Sequence, residues 1–445
     1  MLAVSMQPFI ERIRSADLVT RSGRITKILP TYLEADGPGL PLGALCAIDP
    51  PASGSEGGDL VEVVSVAERA IRLAALDVGV KARPGGRVVA RPRADLVPVG
   101  DGFLGRAVDG LGRPLDQGPP ILNEDWAPLH GDPAGPLERT SPGKPLETGI
   151  RAIDALLPLD LGQRIGIFAA AGVGKTSLVN QLANQVDADR VVISLVGERG
   201  REVEALWRGG LGERARARSV LVAATSDQTA ALRARSCLYA AALAEHWRAR
   251  GLKVLLLLDS ATRLAMALRE LGLAAGEPPT VRAYTPSVFS AIPRLMERFG
   301  ALRGGGAITA IMTVLSETDE VDDPVSEMMR SILDGHVILS RSLAEQGHYP
   351  AIDTPKSLSR LAPSLMTRPH AQAAEKAIAV LAAYEEARTL IESGIYVAGS
   401  NAGIDRALKL RPSLMAFLKQ RPDERIERGT SIASLSRIVE GADGV

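Results

Sequence analysis

The stretch Arg164-Ile-Gly-Ile-Phe-Ala169 is almost entirely apolar, and it passes through Gly172-Val173-Gly174-Lys175-Thr176 into a helix-like segment, TSLVNQLANQ. That order requires a buried strand, a tight turn and a helix whose first N–H groups converge on the turn. Such a turn is a place for an anion, because backbone N–H groups and the helix N-terminus surround it. The string fits the phosphate-loop pattern from position 169 to 176, with Ala169 where the strict pattern has its first glycine. Ala170 and Ala171 narrow the backbone freedom of the loop, while the two glycines nearest the lysine are kept. The expected ligand is a nucleotide. Gly172, Val173, Gly174 and Ser177 cradle its phosphates, Lys175 neutralises their charge, and the hydroxyl of Thr176 ligates Mg²⁺.

Three textures follow one another along the 445 residues. From about Thr20 to Arg91, short β-branched runs alternate with Gly and Pro, which predicts a small antiparallel β-barrel or sheet. From Gly149 to about Leu361 the runs RIGIFA, RVVISLV, SVLVAAT, KVLLLLD, AITAIMTVL and HVILS alternate with helical stretches, as parallel strands covered on both faces do. From Arg368 onward, Ala377, Leu381, Tyr384, Ala387 and Ile391 recur at helical steps. A second apolar face is read through Ile404 and Leu408, with Pro412 restarting the pattern. The fold class is α/β, divided into a β-barrel domain (1–92), a nucleotide domain with a mainly parallel sheet (93–365) and a helical domain (366–445).

Composition narrows the function. Fifty-two basic residues balance 52 acidic ones, so no global field collects nucleic acid or acidic membrane. The two cysteines, Cys46 and Cys237, match no metal or redox spacing and point to a reducing compartment. No cleavable signal pattern opens the chain, and the aliphatic stretch Val254 to Leu258 is far too short to span a bilayer. The expected location is cytoplasmic, with any membrane role peripheral. Phe9, Ile10 and Ile13 read either as a small amphipathic helix for a regulator or the membrane surface, or as a frayed terminus.

Two carboxylates carry the chemistry. Asp259 ends VLLLLD, a strand read as next to the P-loop strand, where it can hold Mg²⁺ through a water or cap the following helix. Glu198, in LVGERGREV, ends the strand after the P-loop helix. There it is placed to orient a water for attack on the γ-phosphate, and Arg199 to fix it or sense the phosphate. A solvated charge cluster is the competing reading of that GER. Two further strands between Lys175 and Asp259 point to a recombinase-like sheet rather than a small GTPase.

GIFAAAGVGKT, GERGREV, VLLLLDSATRLAMALRE, GEPPTVRAYTPSVFSAIPRLMERFG, SILDGHVILSR and GHYPAIDTPKSLSRLAP, in this order, resemble the ATPases of type III protein export, flagellar or injectisome. These are relatives of the rotary ATP synthase α and β subunits, and the resemblance runs over nearly the whole chain. It implies a barrel, a recombinase-like ATPase domain and a C-terminal helical domain, assembled as a homohexamer that hydrolyses MgATP. It implies a catalytic role for Lys175, Glu198, Arg199 and Arg360, the last as an arginine finger reaching into the adjacent subunit. Tyr349 falls on the aromatic that stacks on adenine. Read alone, Tyr349 is a core aromatic and Arg360 a surface ion pair; both roles rest on the resemblance. The same likeness implies a central stalk protein, met by the loop Gly276 to Pro286, a peripheral regulator, and secretion chaperones with their export substrates.

Two alternatives share this core. A ring-shaped nucleic-acid translocase needs a basic, aromatic-bearing barrel, and the first hundred residues hold only Phe9 and Tyr32 as aromatics. A rotary F/V-type catalytic subunit is the nearer rival, and the C-terminal region lacks the acidic stretch that such subunits set against a rotor.

Overall fold

The computed structural model describes residues 21–49, 58–91, 95–123, 125–315 and 323–441. The segment holding Phe9, Ile10 and Ile13 lies outside them.

Six strands make the N-terminal barrel: β1 (Ser22–Ile28), β2 (Leu33–Ala35), β3 (Leu45–Ile48), β4 (Asp59–Val66), β5 (Ile71–Ala75) and β6 (Arg87–Ala90). They close in the order β1-β2-β5-β4-β3-β6, all pairs antiparallel, so none of the six is left as a free edge. Alternate residues face inward, and Ile25, Leu33, Cys46, Ile48, Val61, Val63, Ile71, Leu73 and Val88 fill the interior. Burial pushes the Cys46 thiol up to about 12, which keeps it an inert packing group. The barrel sits on the next domain through Ala74 and Leu76, which pack with Ala224, Ala231 and Leu232.

The central sheet holds β7 (Arg106–Val108), β8 (Arg164–Ala169), β9 (Arg190–Val196), β10 (Ser219–Ala224), β11 (Lys253–Asp259), β12 (Ala307–Leu315), β13 (Gly335–Ile338) and β14 (Leu358–Ser359). Their spatial order is β14-β13-β8-β12-β11-β9-β10-β7, and of these eight β14 alone runs antiparallel to its neighbour; the short strand Gly300–Leu302 adds antiparallel to β12, and Arg139–Thr140 antiparallel to Gly300–Leu302. Here the structure corrects the sequence reading. The strand ending in Asp259 does not border the P-loop strand, because β12 lies between them, pairing Gly166 with Met312 on one edge and Leu258 with Met312 on the other. Parallel strands need crossovers, so a strand that comes late in the chain is free to insert at the centre. The nine residues AITAIMTVL, with no charge among them, suit a position covered on both faces and both edges.

Helices α1 (Arg151–Leu156), α2 (Lys175–Gln185), α3 (Gly200–Ala205), α4 (Ala230–Ala249), α5 (Ala261–Ala275) and α6 (Pro286–Met296) belong to this domain. α4 is buried nearly all round, and its many alanines let it lie close on the sheet. Its two large polar-tipped rings are satisfied: the Tyr239 hydroxyl donates to the Pro98 carbonyl at 2.8 Å, and the Trp247 indole N–H to Asp101 Oδ1 at 2.7 Å.

Three helices close the chain: α7 (Arg368–Glu392), α8 (Ala402–Leu418) and α9 (Arg428–Glu440). Pro412 does not restart the pattern; α8 runs through it without a break. A proline there removes the bond that residue 412 would make to the carbonyl of Leu408, a cost of roughly 3 kcal/mol. Burial of Leu410, Leu414, Phe417 and Leu418 on the inner face offsets it. The apolar face is therefore not the one read through Ile404 and Leu408, and Leu408 is exposed. Leu414→Ala is expected to destabilise the helical unit by about 2–5 kcal/mol and Leu408→Ala by no more than about 0.5 kcal/mol. Hydrogen exchange of the α8 amides measures both, and equal effects would mean that the inner face is wrongly assigned.

Candidate nucleotide-binding site

The site stands at the C-terminal edge of the parallel strands, where the ends of β8, β9 and β11 open. From β8 the chain turns through Gly172 (φ 81°) and Gly174 (φ 93°) into α2. Both glycines hold left-handed conformations that L side chains rarely adopt. Gly174 has a second reason to be glycine, since a Cβ there would lie 3.1 Å from the Tyr349 ring. The first N–H groups of α2 face this turn without intrahelical partners, and no acidic residue stands in the helix's first turn.

Lys175, the first residue of α2, is held between two carboxylates, one at the end of β11 and one in the loop just beyond β9. Its ammonium donates to Asp259 Oδ1 and lies 3.5 Å from Glu198 Oε1. Asp259 is 4% exposed and Glu198 6%, so both charges have left water and depend on these partners. From the inserted strand β12, the Thr313 hydroxyl donates to Asp259 Oδ1 at 2.6 Å. The insertion of β12 is what brings Thr313 beside Asp259.

Glu198 has a second cation, Arg263 of α5, with Nε 3.5 Å from Oε1. Arg263 escaped the sequence reading. Its one signal was its place four residues after the strand-terminal Asp259, in the first turn of the helix that follows. Gly197 (φ 66°) leaves room for it, because a Cβ at 197 would meet Arg263 Cδ at 2.8 Å. Arg199, expected beside Glu198, is exposed and caps the start of α3, its carbonyl accepting from the Glu202 N–H. Burial pushes the Glu198 carboxyl above the ordinary glutamate value; Lys175 and Arg263 oppose that rise, while Asp259 and Glu202 add to it.

Tyr349 lies with Gly172, Gly174, Ser177, Gln181, Pro350, Gln420 and Pro422 around a cavity of about 390 Å³ next to the phosphate loop. The residue is 40% exposed, which leaves a face of its ring for a planar partner. The cavity joins the nucleotide domain to the helical domain, since Gln420 and Pro422 come from beyond α8. On the far side of α2, Thr176 borders a second space with Asn180, Arg201 and Glu202. The donor set fits Mg²⁺: the exposed Thr176 and the carboxylates of Glu198 and Asp259 supply oxygen, the ligand type this hard cation takes.

Arg360 is not part of this cluster. Its N–H donates to the Asp334 carbonyl and its guanidinium to the Arg330 carbonyl at 3.3 Å. It follows Ser359, which pairs with Gly335 at the start of β13, level with the start of β8. The phosphate loop leaves the other end of β8. Five residues of strand, at roughly 3.3 Å each, separate the two ends.

Known proteins resemble the chain throughout. Residues 149–359 match the ATP synthase alpha/beta family, nucleotide-binding domain, and residues 366–437 the T3SS EscN ATPase C-terminal domain. A flagellum-specific ATP synthase of Bacillus subtilis is 41% identical over 97% of this chain and 98% of its own length. A type 3 secretion system ATPase of Xanthomonas euvesicatoria is 40% identical over 98% and 99%. The assembled ATPase EscN of an enteropathogenic E. coli type III secretion system superposes with a TM-score of 0.88 at 38% identity, covering 94% of this chain and all of EscN. EscN in complex with its central stalk EscO gives 0.85 at 37% identity.

A pH dependence follows from the Glu198 environment. A carboxyl raised above 4.5 takes up its proton at a higher pH, so activity that needs the carboxylate is kept above that raised value and lost as pH falls through it. The acid limb of kcat/KM for ATP hydrolysis is expected above pH 4.5. Arg263→Gln removes a cation that favours the charged form and should move the limb further toward neutrality. A shift toward acid in that variant would contradict the assignment.

Proposed function

The chain belongs to the ATP synthase α/β family, in its branch of type III export ATPases, and from that footing we propose that it is a MgATP-driven ring of six copies that energises export. In this reading the ring engages substrate–chaperone complexes at the membrane export gate and unfolds the cargo. ATP hydrolysis itself is the activity of the family. The observation that carries the reading is Lys175 set between Glu198 and Asp259 at the sheet edge, inside motifs that match over the full chain.

In the proposed mechanism the triphosphate lies on the loop from Gly172 to Ser177, with the Lys175 ammonium turning from Asp259 to the phosphate oxygens. Thr176, with Asp259 through a water, would hold Mg²⁺, which when bound neutralises charge on the β- and γ-oxygens. Glu198 accepts a hydrogen bond from a water in line with the γ-phosphorus. As the water oxygen bonds to phosphorus, the bond to the bridging oxygen breaks, ADP leaves with that oxygen, and the water proton passes toward Glu198. Arg263 keeps Glu198 charged and oriented, and Arg199 stands at the exposed mouth. Tyr349 and Pro422 take the two faces of adenine. Arg360, turned away from its own phosphate loop, is free to serve the next subunit's γ-phosphate.

The proposed partners are a central stalk, a peripheral regulator, and secretion chaperones with their substrates. The loop Gly276 to Pro286 supports the first: Arg282 (φ 52°) and Ala283 (φ 60°) hold left-handed backbone, and Val281 is 66% exposed. EscN is seen with a stalk, EscO. Among the described residues no helix is long and apolar enough to cross a membrane, and the association proposed is peripheral.

Two experiments test the roles. Lys175→Ala should lose both binding and turnover, whereas Glu198→Gln should bind ATP and lose turnover by about 10²-fold or more. Wild-type turnover in Glu198→Gln would remove it from catalysis. Arg360→Ala should assemble yet lose about 10³- to 10⁵-fold in kcat. Mixed rings of Lys175→Ala and Arg360→Ala subunits should regain activity wherever an intact loop meets an intact finger. Mixed rings, confirmed by mass, that stay inactive would remove the trans-acting arginine.

A further inference from the structure

We propose that two buried glutamines, Gln420 and Gln185, are positioning residues that set the gap between the walls of the base cavity, so that they govern affinity for the adenine and not for the phosphates. The inference rests on the nucleotide-site reading above and concerns residues outside the catalytic cluster.

A buried amide is costly unless its donors and acceptor are all engaged. Gln420 is 4% exposed and is fully engaged. Its Nε2 donates to the carbonyls of Gly149 and Glu424, both at 2.7 Å. Its Oε1 accepts from the Arg151 N–H at 2.9 Å, and its own N–H donates to the Tyr349 carbonyl at 2.9 Å. One residue thus ties the start of α1, the backbone of Tyr349 and the turn beyond α8. Plain packing does not call for this, since an apolar side chain would fill the space without the desolvation cost.

Gln185, at the end of α2, holds the same turn. Its Nε2 donates to the carbonyls of Pro422 at 2.9 Å and Glu424 at 3.1 Å, and its Oε1 accepts from Gln181 Nε2 at 3.3 Å. Gln185 ends α2, the helix that begins at Lys175. Pro422, one wall of the cavity, is therefore pinned to the P-loop helix, while Tyr349, standing against Gly174, is pinned to the Gln420 backbone. The distance between the walls is set by amide bonds rather than by the helical domain as a whole.

The consequence is a split that general loosening does not produce. Removing the amide should spoil the fit of a planar base and leave the triphosphate cradle as it is. In the assembled enzyme, Gln420→Leu is expected to raise KM for ATP about tenfold with kcat reduced less than about twofold. The inhibition constant of inorganic tripolyphosphate, a competitor without a base, should stay within about twofold of wild type. Gln185→Leu leaves the bonds of Gln420 intact and carries the same expectation; it decides the matter should Gln420→Leu fail to fold. An unchanged KM in a folded variant, or ATP and tripolyphosphate weakened in parallel, would overturn the proposal alone. If tripolyphosphate failed to compete with ATP on the wild-type enzyme, the nucleotide-site reading would fall and the proposal with it.

Discussion

Everything at the open edge of the sheet is arranged around one ammonium group. Lys175 lies between Asp259 and Glu198, two carboxylates that would repel each other across a buried space without it. Neither acid is displaced easily, because Asp259 ends β11 and Glu198 lies two residues beyond the end of β9, both strands with register fixed by neighbours on both sides. Thr313 and Arg263 complete the set, one neutral donor for Asp259 and one further cation for Glu198. The result is a charge cluster balanced within the protein; in the proposed mechanism a triphosphate takes over Lys175 and a divalent cation answers the carboxylates.

That arrangement depends on strand order as much as on the residues. β12 separates the P-loop strand from the Asp259 strand, which widens the edge and gives Thr313 its place. Outside the sheet, the barrel and the helical domain are fastened by mixed contacts of apolar surface and buried polar bonds. The helical domain is joined through the turn beyond α8, so that the cavity beside the phosphate loop is built from two domains at once. A ligand that touches both domains favours one arrangement of them over others.

Much of this was legible in the sequence, for physical reasons. A phosphate loop needs its glycines and lysine in fixed order, and buried parallel strands need continuous apolar runs, so both leave local marks. Lys175, Glu198 and Asp259 were read from such marks, and the structure brings the three together. Tyr349 and Arg360 carry no local signal and were placed only by likeness to relatives. What stayed hidden was non-local. No periodicity reveals that β12 inserts between two earlier strands, and nothing but its place four residues after Asp259 marks Arg263 as the partner of Glu198. Pro412 misled the reading because the burial that offsets its missing hydrogen bond belongs to residues up to Leu418. Gln420 looks like an ordinary polar residue until its contacts at 149, 151, 349 and 424 are seen together.

The central claim is that the edge cluster is a site for a nucleotide accompanied by a divalent cation, and calorimetric titration with ATP tests it most directly. Two buried carboxylates balance Lys175 and Arg263, so the cluster offers no net positive charge to a bare triphosphate. ATP with Mg²⁺ is therefore predicted to bind at least about tenfold more tightly than ATP in EDTA. Equal affinity in the two conditions, or tighter binding of the bare nucleotide, would contradict the account.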